Sequence, residues 1–166
     1  MKDGGGEIEV FTPAGLRILF NAFRFLKERG LEGCVWLNAI NFGGATTASG
    51  WHRDALPVKR VLAAYEGGGS TLGTLAVRTA RESSPGRFLT VAMTDGSLSN
   101  TQQALEELQQ TVAAGNSLVL LHIGVPNGFT EGVRRLGGSV HIVNEAQELV
   151  GLCLDLAKAE YGGSNA

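Results

Sequence analysis

Cysteine is scarce in this chain: among 166 residues there are two, Cys34 and Cys153. Two thiols cannot build the disulfide framework of a small secreted scaffold, and neither has the spacing to a second Cys or His that a metal site needs. Both lie in apolar segments and read as small buried hydrophobes of a reducing compartment. A basic cluster is also missing. The net charge is −2, and without a cationic stripe nucleic acid is excluded as the main partner. No apolar run reaches the length of a membrane span. Residues 1–9 are polar and glycine-rich, without the pattern of a secretory signal. Together these absences lead to the expectation of a cytoplasmic protein that engages neither nucleic acid nor membrane.

Standard catalytic signatures are lacking as well. No Lys follows the glycines at 67–69, so there is no Walker phosphate loop, and no G-x-G-x-x-G separates a strand from a helix. No local motif suggests a Ser-His-Asp ordering. What is present is enough for one folded domain: 43% of the residues are apolar, too many for a disordered chain, and the length suits a single core.

The apolar run 88–93 has the length and residue types of a buried strand. It ends in Thr94-Asp95-Gly96, a turn sequence. A carboxylate at the carboxyl end of a parallel strand sits where open α/β sheets bind ligands. The simplest role of Asp95 is to make the turn. A second segment, Glu66-Gly67-Gly68-Gly69-Ser70-Thr71-Leu72, separates two helical patterns. Its glycines free the backbone for a sharp turn and a close approach. Ser70 and Thr71 stand where hydroxyls cap a helix; capping accounts for one of them and leaves the other free. Asp95, Ser70 and Thr71 are an oxygen-ligand set suited to a hard cation such as Mg²⁺.

Around these segments the pattern alternates. Residues 7–11 alternate like a short strand, and Thr12-Pro13 starts a helix whose apolar positions run from Leu16 to Leu26. Gly30 ends it. A strand is expected over 34–42, a loop with an edge strand over 43–54, and helices over 57–65 and 72–82. Then come the 88–93 strand, a helix over 99–114, a strand over 117–124, a helix over 129–136, a strand over 139–143, a final helix over 145–161 and a tail. Apolar strands alternating with helices imply an α/β fold with a parallel sheet covered on both faces.

This order of segments resembles the von Willebrand factor A domain over roughly residues 12–160. Gly67-Gly68-Gly69-Ser70-Thr71 is similar to the second ligand loop of that family's metal-ion-dependent adhesion site, where a Thr ligates. Thr94-Asp95-Gly96 is similar to the third, which supplies an Asp. The 34–42 segment followed by Gly43 resembles the family's second strand. His122-Ile123-Gly124 and the stretch from Phe129 to Leu156 resemble its closing strand–helix–strand–helix. The resemblance implies a single domain over 1–166, a Rossmann-like three-layer sandwich with a mostly parallel central sheet and helices on both faces. It also implies a non-enzymatic interaction module, with Ser70, Thr71 and Asp95 as a partial site for Mg²⁺ or Mn²⁺ that takes an acidic side chain of a protein partner. The alternative is a phosphate- or nucleotide-binding α/β enzyme using the 67–71 loop and Asp95.

The chain departs from the family in one respect above others: it has no Asp-x-Ser-x-Ser. That motif is often followed directly by Met, so Met1 falls where an internal Met would, with the first strand and its ligands lost by truncation. This is the favoured expectation, and it makes metal binding weak. In the competing one, residues 7–11 replace the first strand and Thr12 lies near the old site, although Glu7 and Glu9 would be costly in a sheet buried on both faces. The place of the missing strand has three candidate occupants. It is filled by residues 7–11, closed by direct pairing of the 34–42 strand with the 88–93 strand, or occupied by a strand from another chain. An unfilled edge would promote self-association.

Other residues have simpler roles. Asp3 reads as a solvated tail residue, and His122 and His141 as histidines hydrogen-bonded in strands. Ser97 and Ser99 follow Asp95 within reach of a bound water, with Ser99 as a helix cap. Trp36 and Phe42 read as core. Trp51 and His52 form either a contact surface or a loop packed on its own domain.

Overall fold

The structure, a computed structural model, describes residues 24, 27–30, 33–64, 68–144, 148, 151–152 and 155. In chain order they form β1 (Ile40–Phe42), β2 (Thr46–Ala48), α1 (Ala55–Ala63), α2 (Thr74–Glu82), β3 (Leu89–Thr94), α3 (Thr101–Ala113), β4 (Ser117–Ile123), α4 (Gly128–Arg135) and β5 (Ser139–Val143). Arg24, Lys27 and Glu28 are helical, as are Glu148, Gly151, Leu152 and Asp155; these positions fall in the expected first and last helices. The segments 7–11 and 12–23, with Asp3 and Cys153, lie outside the described residues.

β3, β4 and β5 form a parallel sheet in that order, with Val91 level with Val119 and Leu121 level with His141. The central strand β4 is apolar without a break from Leu118 to Leu121 because it is covered on both faces. Along β4 the two sets of side chains alternate. Leu118 and Leu120 pack with Ala104 and Leu108 of α3 and Phe129 and Val133 of α4. Val119 and Leu121 point to the opposite face and are buried too, at 6% and 0% exposed. Right-handed crossovers between adjacent strands put successive helices on one face; α3 packs on α4 there, and α2 on α3.

The remaining strands form a separate two-stranded antiparallel sheet, with Ile40 opposite Ala48 and Phe42 opposite Thr46. Two expectations change here. The 34–42 run is not one strand: residues 33–34 turn, Leu37 makes an isolated antiparallel bridge with His52, and the ladder begins only at Ile40. In between, the Ser49 hydroxyl takes the amide of Ala39 at 2.9 Å, a bond that regular pairing would have given to backbone. Nor does β1 pair with β3; among the described residues they belong to different sheets. The expected direct pairing of the 34–42 strand with the 88–93 strand is therefore overturned. The two sheets still share a core, since Phe42 and Ala92 pack against the same buried cluster.

The early turn also corrects two residue assignments. Cys34 is exposed, and Trp36 is 40% exposed with the Arg53 guanidinium 4.7 Å from its ring centroid. Neither is in the core, because the chain enters the hairpin only after them. Trp51 packs on its own domain: its indole N–H donates to the Ala80 carbonyl at 2.8 Å and its ring lies 5.3 Å from Phe88. Among the described residues, no helix is long and apolar enough to cross a membrane.

Candidate functional site

Where β3 ends, the chain turns on its own side chains. Thr94 Oγ1 accepts the Gly96 amide at 3.1 Å, and Asp95 Oδ1 accepts the Ser97 amide at 2.9 Å. Gly96 sits at φ +71°, a conformation with no steric penalty for glycine. Asp95 thus makes the turn, as its simplest role requires, while the residue remains exposed.

The glycine-rich loop docks just past this turn, on Ser99 and Asn100. The Thr71 amide donates to the Gly43 carbonyl at 3.2 Å, which ties the loop to the end of β1. A Cβ on Gly69 would fall 2.7 Å from the Gly44 Cα, so the glycine is required by backbone packed on backbone. Toward β3, the Ser99 amide donates to the Ser70 carbonyl at 3.0 Å, and the hydroxyls of Thr71 and Ser99 share a hydrogen bond at 2.6 Å. Asn100 then grips Leu72 at two points: its Oδ1 accepts the Leu72 amide at 3.0 Å and its Nδ2 donates to the Leu72 carbonyl at 2.8 Å.

These bonds overturn the capping roles. α2 begins at Thr74 after Gly73, and α3 at Thr101 after Asn100; neither N-cap makes a side-chain cap bond. Ser70 and Thr71 are too far ahead of α2 to cap it. Ser99 is one residue too early for α3, and its hydroxyl is engaged with Thr71. Ser70, Thr71 and Asp95 lie in two loops that dock at one edge, the carboxyl end of the parallel sheet. Among the described residues no group of three or more His, Cys, Asp or Glu side chains could hold a metal.

Two features lie beneath the loops, the first of them missed from sequence. The first locks the helices that the loops lead into. Glu107 of α3 is 5% exposed and meets Arg81 at 2.5 Å and Arg78 at 3.0 Å, both on α2. Burial alone would push the Glu107 carboxyl up; hydrogen bonds from Arg78 and Arg81, with their charges, outweigh it and hold the group below its ordinary range. Glu107 shares the helical stripe of Ala104, Leu108 and Thr111, so its burial was legible, though its partners were not. The second feature is the end of β4. His122 is fully buried, with Nε2 2.7 Å from the Val125 carbonyl and Nδ1 3.1 Å from Thr130 Oγ1. The expected hydrogen-bonded strand histidine is therefore found there. His141 is half-buried within β5.

No protein-family model matches this chain, and no curated protein matches it.

Proposed function

We propose that this chain is a non-enzymatic protein-interaction module built like a von Willebrand factor A domain: a Rossmann-like three-layer sandwich, helices on both faces, with an incomplete metal-ion-dependent adhesion site, working in the cytoplasm. The observation that carries the reading is the docking of the Ser70–Thr71 loop onto the loop of Asp95 through the 2.6 Å Thr71–Ser99 bond, at the edge where open α/β sheets take ligands. Asp95, with the hydroxyls of Ser70 and Thr71, supplies oxygen donors to Mg²⁺ or Mn²⁺. A single carboxylate leaves the cation partly uncompensated, and an acidic side chain of a protein partner completes it. The same shortage of carboxylates makes binding weak, because Mg²⁺ gives up its waters reluctantly.

The enzyme alternative needs the 67–71 loop to cradle a phosphate with free amides. The amides of Thr71 and Leu72 are already given to Gly43 and Asn100, which speaks against it. Calorimetry with Mn²⁺ tests the reading: weak binding is expected, and Asp95→Ala should abolish it. An isotherm unchanged in Asp95→Ala refutes the role of Asp95, and tight Mg²⁺-dependent nucleotide binding moves the assignment to the alternative.

A further inference from the structure

Asn127, in the connection from β4 to α4, uses the two ends of its amide for different purposes. Its Oδ1 accepts the amides of Phe129 at 3.1 Å and Thr130 at 3.4 Å, which caps α4. Its Nδ2 donates to the backbone carbonyl of Asp95 at 2.8 Å, across 32 residues of sequence. The same side chain lies against the next residue of the turn: a Cβ on Gly96 would fall 2.7 Å from Asn127 Oδ1. The Asp95–Gly96 turn is shaped around this amide.

The base that holds Asn127 is itself fixed. The backbone N–H of Asn127 donates to Thr130 Oγ1 at 3.2 Å, and Thr130 is bonded to His122 Nδ1 at 3.1 Å. Both Thr130 and His122 are 0% exposed. A carbonyl can only accept, so His122 carries its proton on Nε2, toward Val125, and Nδ1 receives the Thr130 hydroxyl. Every polar atom in this set has a partner of the right kind, which leaves the loop one arrangement.

We propose that Asn127 is the positioning residue of the Asp95 site: by gripping the Asp95 carbonyl it sets the orientation of that peptide and so the direction of the carboxylate. The consequence for ligand binding rests on the metal-binding reading above; the geometric role does not. The turn's own bonds, Asp95 to Ser97 and Thr94 to Gly96, are local. Asn127 anchors that local turn to the body of the sheet.

Asn127→Ser separates the two purposes, since serine caps a helix about as well as asparagine but is too short to reach the Asp95 carbonyl. The variant should keep its melting temperature within a few degrees. Its Ser97 amide should exchange about two- to tenfold faster, the equivalent of one net hydrogen bond, and Mn²⁺ affinity should fall by a similar factor. A residue that only capped α4 would leave the melting temperature, the Ser97 exchange and the Mn²⁺ affinity all unchanged in this variant, because serine keeps the cap. Should Asn127→Ser fail to fold, Asn127→Asp keeps the cap acceptor and replaces the donor with an oxygen, and the same faster exchange at Ser97 is expected. Wild-type protein that binds no Mn²⁺ refutes the metal reading; Ser97 exchange then decides the positioning role by itself. Unchanged exchange in a folded variant overturns the inference.

Discussion

Replacing Glu107 by alanine tests what holds the two loop-bearing helices together. The carboxylate is 5% exposed, and the side chain of its nearer partner, Arg81, is 16% exposed. Arg81 also reaches the Glu107 carbonyl and Thr111 Oγ1, at 3.3 and 3.4 Å. The Arg78 side chain is 52% exposed, so water screens its share. A charge-assisted bond at the buried end is worth about 1.5–3 kcal/mol. Stranding a partly buried guanidinium adds to that, toward the roughly 3–5 kcal/mol of a fully buried pair. A loss near ~3 kcal/mol is expected in urea unfolding, with Glu107→Gln losing less because it keeps one acceptor. The pH dependence has a definite sign. Glu107 titrates lower folded than unfolded, so its contribution is complete above the ordinary glutamate range and is lost as pH falls through the folded value. The stability gap between wild type and Glu107→Gln should thus be constant near neutrality and shrink in acid. A loss below about 1 kcal/mol, the level of exposed surface pairs, or a gap that does not change with acid, would refute the reasoning.

Leu120→Ala, at a side chain 0% exposed between β4 and the helices, should cost about 2–5 kcal/mol by chemical denaturation. Asn100→Asp keeps an acceptor for the Leu72 amide but sets an oxygen against the Leu72 carbonyl; about 1–3 kcal/mol should be lost, with faster exchange at Leu72. In Gly69→Ala the new Cβ would meet the Gly44 backbone at 2.7 Å, which cannot rotate away. A loss of about 1–3 kcal/mol is expected, together with loss of the Thr71–Gly43 bond by amide exchange; a neutral substitution would mean that the loop does not sit on the hairpin.

The parallel strands were legible from their apolar residues; the cue is cleanest in β4, where Leu118, Val119, Leu120 and Leu121 are all buried, whereas β3 leaves Val91 43% exposed and β5 carries Ser139 and His141. The same cue misleads at Cys34-Val35-Trp36, which are apolar without being paired. The exposure of Cys34 and Trp36 follows from the turn at Gly33, with φ +76°, which keeps the chain out of the hairpin until after them. At the site, glycine runs and Asp-Gly punctuation marked both loops. The cap assignments failed for a non-local reason. Leu72 claims the side chain of Asn100, so the α3 N-terminus goes without its cap bond and Ser99 turns to Thr71. No local propensity records a partner 28 residues away. Asn127 is the reverse case: its cap of α4 follows from local sequence, but its second bond, to Asp95, does not.

That 28-residue separation also fixes an order of events. Thr71 cannot meet Ser99, nor Leu72 meet Asn100, until the intervening α2 and β3 have found their places, and β3 in turn waits for β4. Non-local closures of this kind come late because chain entropy must be surrendered before they form. These loop contacts are therefore expected to close after the β3–β4 pair they wait for and to open before it. Native-state exchange under rising denaturant should release the Leu72 amide in a smaller opening than the one that frees β4. If Leu72 and the β4 amides exchanged only together, at the cost of global unfolding, the two loops would belong to the founding core instead of its closing clasp.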